Sequence, residues 1–357
     1  MIKDDRRLRV GVLGCGPISQ FAHFDALKKS RNAELFAVCD VAKDLADRMA
    51  SVHRPSKVFY DYDAMLGDSQ IDAVLIGIAD QFHVPMAIKA IDAGKHVLIE
   101  KPLGTSVEEC ETLRQKVHAS SLTLQVGNNR RFDPGVAFAA KFIREEMGEV
   151  MAIKAWYCDS THRYTMTDNL QPIPETSANA RRPEGNPKSD KKRYFVLTHG
   201  SHLMDTARFL GGPIASVRAR HLEKFGAHSW FIEVEFESRA MGHLDLTIPI
   251  RGDFMEGFQV YGEHGSASGR VFLPWFHKSS EVECFSEKDR TFRRPLGEDA
   301  YSYKRQIEGF AATILDGKPL AGASVDDGVA AMRAMVAIAR SVESESTVRL
   351  AEVTGGV

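Results

Sequence analysis

The chain has 357 residues, of which 43% are apolar and 26% charged, with a net charge of −2. That length predicts about two domains, each able to bury a core of its own. The charge balance excludes a general attraction to nucleic acid or to an anionic membrane, and no apolar run approaches a membrane span.

The first residues, Met1–Arg9, are charged and carry no secretion-signal core. Five scattered cysteines, Cys15, Cys39, Cys110, Cys158 and Cys284, show neither a CxxC nor a zinc spacing. A reducing, cytoplasmic compartment is therefore expected. From Leu8 onward short apolar runs alternate with amphipathic stretches. They predict strands at Leu8–Leu13, Ala33–Cys39, Lys57–Phe59, Ala73–Ile78, His96–Ile99 and Thr123–Val126. These runs are continuously apolar, as in a parallel sheet covered by helices on both faces. Val84–Ala93 reads as one such helix, with Gly94 as its C-cap. Residues 1–126 are thus expected to form an α/β domain.

Between the first strand and the first helix lies Gly14-Cys15-Gly16-Pro17-Ile18-Ser19. Gly14 permits a tight turn, Gly16 lets the backbone approach a pyrophosphate at the helix N-terminus, and Pro17 suits the first helical turn. Ser19 stands where the strict dinucleotide fingerprint has a third glycine. Asp40, closing the second strand, can accept hydrogen bonds from a free ribose hydroxyl and would repel a 2′-phosphate. NAD is therefore favoured over NADP, with Lys43 nearby as a counterweight. A glycine turn holding no ligand is the competing account.

The run Gly94–Pro102 carries Glu100-Lys101-Pro102 to the carboxyl end of a buried strand, where α/β sheets bind ligands. Hydride transfer to or from an alcohol needs a group that exchanges the hydroxyl proton. A lysine amine titrates at about 10.4 in water. Desolvation and the positive ring of oxidised NAD would lower that value at Lys101, and reduction of the ring would restore it. The plain alternative is a solvated lysine ending a strand.

From residue 127 to 357 a second, α+β domain is expected. Trp230–Glu237 and Gly242–Ile248 alternate apolar with polar residues, the mark of antiparallel strands with one open face. That face carries Glu233, Glu235, His243 and Asp245, either as a polar oligomer interface or as a solvated surface. Residues 162–193 are rich in proline and basic residues and read as a lid or as a surface insertion. Thr198-His199-Gly200-Ser201-His202 opens a helix predicted to run to Leu210, placing Thr198 and His202 on one face and His199 beside His202. A neutral imidazole at His202 could hydrogen-bond the reacting hydroxyl and relay its proton. A metal held by His199, His202 and Asp205 lacks a recognisable further ligand, and none is expected. Tyr301–Asp316 and Val325–Val342 carry apolar stripes that predict core-packed helices.

Together the Gly14–Ser19 turn, the run Ala87–Pro102, Asn129-Arg130-Arg131-Phe132-Asp133-Pro134, Gly200-Ser201-His202 and Tyr261–Ser266 resemble the Gfo/Idh/MocA family of oxidoreductases over most of the chain. The resemblance implies a Rossmann domain followed by a domain with a large open, mainly antiparallel sheet. It implies NAD(P)-dependent chemistry at a sugar or cyclitol carbon, homodimers or homotetramers, and a cis Lys101–Pro102 bond. Catalysis is assigned to Lys101 with His202. Gly14, Gly16, Pro17, Ile18, Asp40, Ala79, His83, Glu100, Lys101 and Asn129 are expected around the cofactor. Asn129, Arg131, His162, Arg163, Tyr194, Thr198, His199, His202 and Lys101 are expected around a polyhydroxylated substrate. Arginine there could instead pair with a sugar acid or phosphate. Many family members carry aspartate where this chain has Thr198; His199 or a carboxylate such as Asp190 is the expected substitute.

The leading expectation is an NAD-dependent dehydrogenase acting on a secondary hydroxyl of a sugar, glycoside or inositol. A redox-neutral enzyme that retains its NAD, cleaving glycosides or epimerising, is one alternative. A sugar or NAD sensor without catalysis is another.

Overall fold

The computed structural model describes residues 6–160, 171, 173–181, 183 and 188–357. In chain order these begin with β1 (Leu8–Leu13), a π-turn (Ser19–His23), α1 (Phe24–Lys29), β2 (Ala33–Cys39), α2 (Lys43–His53), β3 (Lys57–Phe59) and α3 (Tyr62–Leu66). β4 (Ala73–Ile76), α4 (His83–Asp92), β5 (His96–Ile99), α5 (Val107–His118), β6 (Leu124–Val126), α6 (Pro134–Glu145) and β7 (Val150–Cys158) follow. Next come α7 (Lys191–Thr198), α8 (Gly200–Gly211), β8 (Ile214–Lys224), β9 (Ala227–Phe236), β10 (Met241–Ile248) and β11 (Met255–Gly262). The chain closes with β12 (Gly265–Val271), β13 (Glu281–Ser286), β14 (Thr291–Arg293), α9 (Ser302–Asp316), α10 (Val325–Ser344) and β15 (Val348–Arg349). It divides into two compact units: Met1–Asn129 with Gln171–Pro187 and Tyr303–Val329, and Arg130–Leu170 with Lys188–Ser302 and Ala330–Val357.

The first unit holds a six-stranded sheet in the order β3-β2-β1-β4-β5-β6, with every pairing parallel. Its order reverses between β1 and β4, where doubly wound sheets open a crevice at the strands' carboxyl ends. The predicted apolar runs become these strands because both faces are covered: β4 is buried throughout and β5 from Val97 onward. β4 stops at Ile76 rather than Ile78: Gly77 makes a last bond to β1, its N–H on the Leu13 carbonyl at 2.9 Å, and then lies against the glycine turn. Gly94 lies one residue past the cap, which is Ala93. At φ +74° it lets its own N–H reach the Ile91 carbonyl at 3.0 Å, while the Lys95 N–H reaches Ala90 at 2.9 Å. That paired closure is a Schellman motif. α5 starts on a capping box, with Ser106 and Glu109 satisfying each other's backbone N–H.

The second unit is built on a nine-stranded sheet, β14-β13-β12-β11-β7-β10-β9-β8-β15. β7 and β10 pair in parallel and the remaining neighbours are antiparallel. The alternation legible in the sequence is the alternation of burial. Trp230, Ile232 and Phe236 are fully buried, while Phe231, Glu233 and His243 face outward. The entry into this unit is pinned by charge. Arg130 makes a bidentate pair with Glu256, Nε to Oε1 at 3.0 Å and Nη2 to Oε2 at 2.8 Å, both side chains buried. Burial pushes the Glu256 carboxyl up despite that partner. Asp133 caps α6 by accepting from Gly135 and Val136, and also accepts from the Ser280 N–H. No described helix is long and apolar enough to cross a membrane.

Near the β8–β9 turn, His221 Nε2 and His228 Nδ1 lie 3.1 Å apart; the His228 ring stacks on Trp230 and the His221 ring is tilted against it. Burial holds both imidazoles below the ordinary histidine value. The unfolded chain therefore takes up protons that the folded one refuses once the pH falls through about 6.5. Stability is fully present above that value and is lost as the pH drops from it toward the lower folded values. Thermal unfolding midpoints should fall between pH 7.5 and pH 5, and His228→Gln should make that fall shallower; an unchanged slope would refute the assignment.

Candidate active site

In the first unit the turn after β1 is shaped by contact. Gly14 has φ +97°, and a Cβ there would sit 2.6 Å from the Gly77 carbonyl oxygen, so only glycine fits. Gly16 has nothing within 4 Å of the same position, leaving its backbone open to a ligand. Pro17 and Ile18 lead into the π-turn. Ser19, in the third glycine's place, donates its hydroxyl back to the Gly14 carbonyl at 2.6 Å. Asp40 accepts the Cys15 N–H at 2.8 Å on one oxygen and the Ala42 N–H at 2.9 Å on the other. Each oxygen keeps a lone pair for a ribose hydroxyl. The Lys43 ammonium is directed at the Tyr60 ring, 5.4 Å from its centroid. An open glycine backbone at a helix start beside an oriented carboxylate fits a dinucleotide.

Part of the segment read as a lid is tied to this turn. Gln20 exchanges two hydrogen bonds with the backbone of Glu175, at 2.8 and 3.0 Å, while also donating to the Cys15 carbonyl at 2.8 Å. Ser177 donates to Asp44 at 2.7 Å.

Lys101 follows β5 with a cis bond to Pro102 and is partly exposed. Its N–H donates to Oε2 of Glu100 at 3.2 Å, and Oε1 of that buried carboxyl faces His23 Nε2 at 3.1 Å. Burial would raise the Glu100 carboxyl, but His23 and Lys101 hold it below the usual range. His83 is fully buried and lies with its ring nitrogens 2.7 Å from the Pro102 carbonyl and 3.1 Å from that of Ile78. It therefore braces the ends of two strands. Ala79 is partly exposed, and Asn129 is 1% exposed just beyond β6.

In the second unit the histidine cluster departs from the expected single helix. α7 ends at Thr198, His199 forms the junction with φ −101°, and α8 begins at Gly200. The glycine follows a turn already closed by Thr198, whose hydroxyl donates to the Tyr194 carbonyl at 2.7 Å. Thr198 Oγ1 also lies 2.8 Å from His199 Nδ1. His202 stacks on Tyr157 with ring centroids 5.6 Å apart, and His199 meets the same ring edge-on at 5.8 Å. A carboxylate does reach this cluster: Asp159 lies 3.4 Å from His199 Nε2. Asp190, the expected substitute, instead caps α7 by accepting from Arg193 at 3.0 Å. Tyr194 packs against His199 at 6.2 Å. Arg131 is buried with its guanidinium on Asp205, at 3.0 Å from Nε and 2.6 Å from Nη2. That pairing also takes up the carboxylate of the His199, His202 and Asp205 set. His162 and Arg163 lie outside the described residues.

Comparison with known proteins gives these groups a setting. Residues 8–128 match the family model described as an oxidoreductase family with an NAD-binding Rossmann fold, and residues 155–350 match that family's C-terminal alpha/beta domain. The chain belongs to the Gfo/Idh/MocA oxidoreductase family. This oxidoreductase is 26% identical to the myo-inositol 2-dehydrogenase of Thermotoga maritima over 98% of its own length and 100% of that protein. It is 27% identical to inositol 2-dehydrogenase 2 of Saccharopolyspora erythraea over 95% of the chain and 94% of the relative. A solved levoglucosan dehydrogenase, in complex with NADH and L-sorbose, shares the fold at a TM-score of 0.79 and 22% identity, covering 98% of this chain and 100% of that one. The expected fold, an NAD-binding Rossmann domain with a mainly antiparallel C-terminal sheet, is thus borne out for this family member.

Tyr157, Asp159 and His23 were not foreseen from sequence. Each acts through a partner far along the chain, and none sits in a motif. For Asp40, hydrogen bonds to a charged acceptor are worth about 1.5–3 kcal/mol. Asp40→Ala should weaken NADH binding by about ten- to a hundredfold and NADPH binding by much less, measured by nicotinamide fluorescence titration. Equal losses for both dinucleotides would refute the ribose role.

Proposed function

We propose that the chain is an NAD-dependent dehydrogenase that moves a hydride between the nicotinamide and a secondary hydroxyl carbon of a sugar, glycoside or inositol. The observation that carries this reading is one sheet edge. The glycine turn after β1, Asp40 after β2 and Lys101 after β5 all project from the carboxyl ends of one parallel sheet. Inositol dehydrogenases among the relatives supply the substrate class. When bound, the dinucleotide supplies the hydride acceptor or donor. Lys101 takes the hydroxyl proton in oxidation and returns it in reduction. His202, its ring fixed against Tyr157, hydrogen-bonds the reacting oxygen. His199, held between Thr198 and Asp159, supplies the polar contact that aspartate gives other members at position 198. Asn129 and Tyr194 are assigned to the surroundings of cofactor and substrate, and Arg131 to holding α8 through Asp205.

An absorbance screen at the reduced-nicotinamide band, across inositols, aldoses, sugar acids and glycosides, tests the substrate class. General acid–base groups contribute about 10²–10⁴-fold, so Lys101→Met should cut turnover by that factor while NADH still binds. Full activity in that variant, or turnover of none of these polyols, would sink the reading.

We also infer a homo-oligomer formed through the open face of the nine-stranded sheet. Phe231, Met241, Met255 and Phe292 are 56%, 68%, 57% and 63% exposed there, among Glu233, His243 and Asp245. Sedimentation velocity should show a dimer or tetramer, and the double variant Phe231→Asp, Met241→Asp should run as a monomer.

A further inference from the structure

The helix that follows the glycine crevice opens at Pro17 and Ile18 but does not continue as a regular α-helix. Ser19–His23 is a π-turn, closed by the Phe24 N–H donating to the Ser19 carbonyl, and such a turn adds one residue to a helix. One residue advances an α-helix by about 100°. The extra residue therefore swings His23 to a bearing that an unbroken helix would give its neighbour. There the ring is 1% exposed, with Nε2 3.1 Å from Glu100 Oε1. Tyr303 stands edge-on to it at 5.7 Å. The second oxygen of Glu100 accepts the N–H of Lys101 at 3.2 Å. Gly127 makes room for this carboxyl, since a Cβ there would lie 3.1 Å from Glu100 Cδ. A buried carboxylate survives only with close partners. The charged or titratable groups acting on Glu100 are His23, Lys101 and His83, and Glu100 and Tyr303 face His23.

We propose that Glu100 and His23 are positioning residues for proton transfer at Lys101, with the carboxylate stabilising the ammonium form and the His23 ring setting how much of that negative charge the amine feels. The inference rests on the assignment of Lys101 as the proton-transfer group. It gives the two residues opposite signs. Without the Glu100 charge, the Lys101 amine loses its proton more readily. Without the His23 ring, the carboxylate acts on Lys101 undiminished and the amine holds its proton longer.

The test is the pH dependence of Lys101 itself, read in the folded full-length chain by the rate at which an amine-acylating reagent labels the Lys101 peptide. The pH dependence of turnover is measured beside it. Glu100→Gln should move the Lys101 ionisation to lower pH by about one unit, a tenfold change in proton affinity. His23→Gln should move it upward. The double variant should behave as Glu100→Gln alone, and Glu100→Asp, which keeps the charge, should stay near the parent. Should Glu100→Gln or His23→Gln fail to fold by circular dichroism, the neutral variants Glu100→Asn and His23→Asn carry the same comparison. Shifts in the same direction, or lower turnover with an unmoved labelling profile, would overturn the proposal. Retained turnover in Lys101→Met would instead defeat the general acid–base assignment, and the labelling profile would still judge the charge pair.

Discussion

The close passage of Gly14 against the Gly77 carbonyl, with no room for a Cβ at 2.6 Å, is the constraint on which the first unit turns. It brings the ends of β1 and β4 side by side at the point where the sheet order reverses. A larger residue would push the two turns apart and fill the crevice with side chain. With glycine there, the backbone at Gly16 stays open. Asp40 and Lys101 then follow strands that end at the same edge, the Asp40 N–H held by the Phe59 carbonyl and the Lys101 N–H by the Glu100 carboxylate. Rigid strand ends are well suited to holding reactive groups in place.

The second unit relies on buried charge. Arg130 with Glu256 and Arg131 with Asp205 bury four ionisable groups near the start of that unit. Such pairs add little net stability over apolar residues of the same shape, yet losing one member is costly. Their value is directional: each guanidinium accepts only a narrow set of carboxylate positions. Asp205 lies on α8, the helix that carries His202, so the arginine fixes the rotation of the histidine's own helix. Tyr157 does the same from the sheet side by stacking on the His202 ring.

Strands of the first unit were legible because a strand covered on both faces reads as an unbroken apolar run. β1, β2, β3 and β5 fall on the expected residues. The antiparallel strands were legible by the opposite signal, strict alternation. Lys101 stood out because Glu-Lys-Pro after such a strand is a rare juxtaposition. Arg131 illustrates the limit. Guanidinium chemistry suits a substrate acid and a buried aspartate equally, and only the fold reveals that Asp205 takes it. Asp159 was hidden for a related reason, since its partner His199 is brought near by sheet and helix packing, not by spacing. The helix break at His199 was missed because Thr198 satisfies its own turn locally, a competition between side chain and backbone that periodicity does not register.

Asp40 is bonded to the amides of Cys15 and Ala42. One carboxylate thus shapes the glycine loop, and under the proposed function the same group would discriminate between the two forms of the coenzyme. Exchanging this acid for a small or basic residue would remove the acceptor of both amides and loosen the glycine loop, whatever it gained toward a phosphorylated coenzyme. Such an exchange would need other acceptors for the Cys15 and Ala42 amides, so the acid is tied to the backbone of the loop as well as to any ligand it meets.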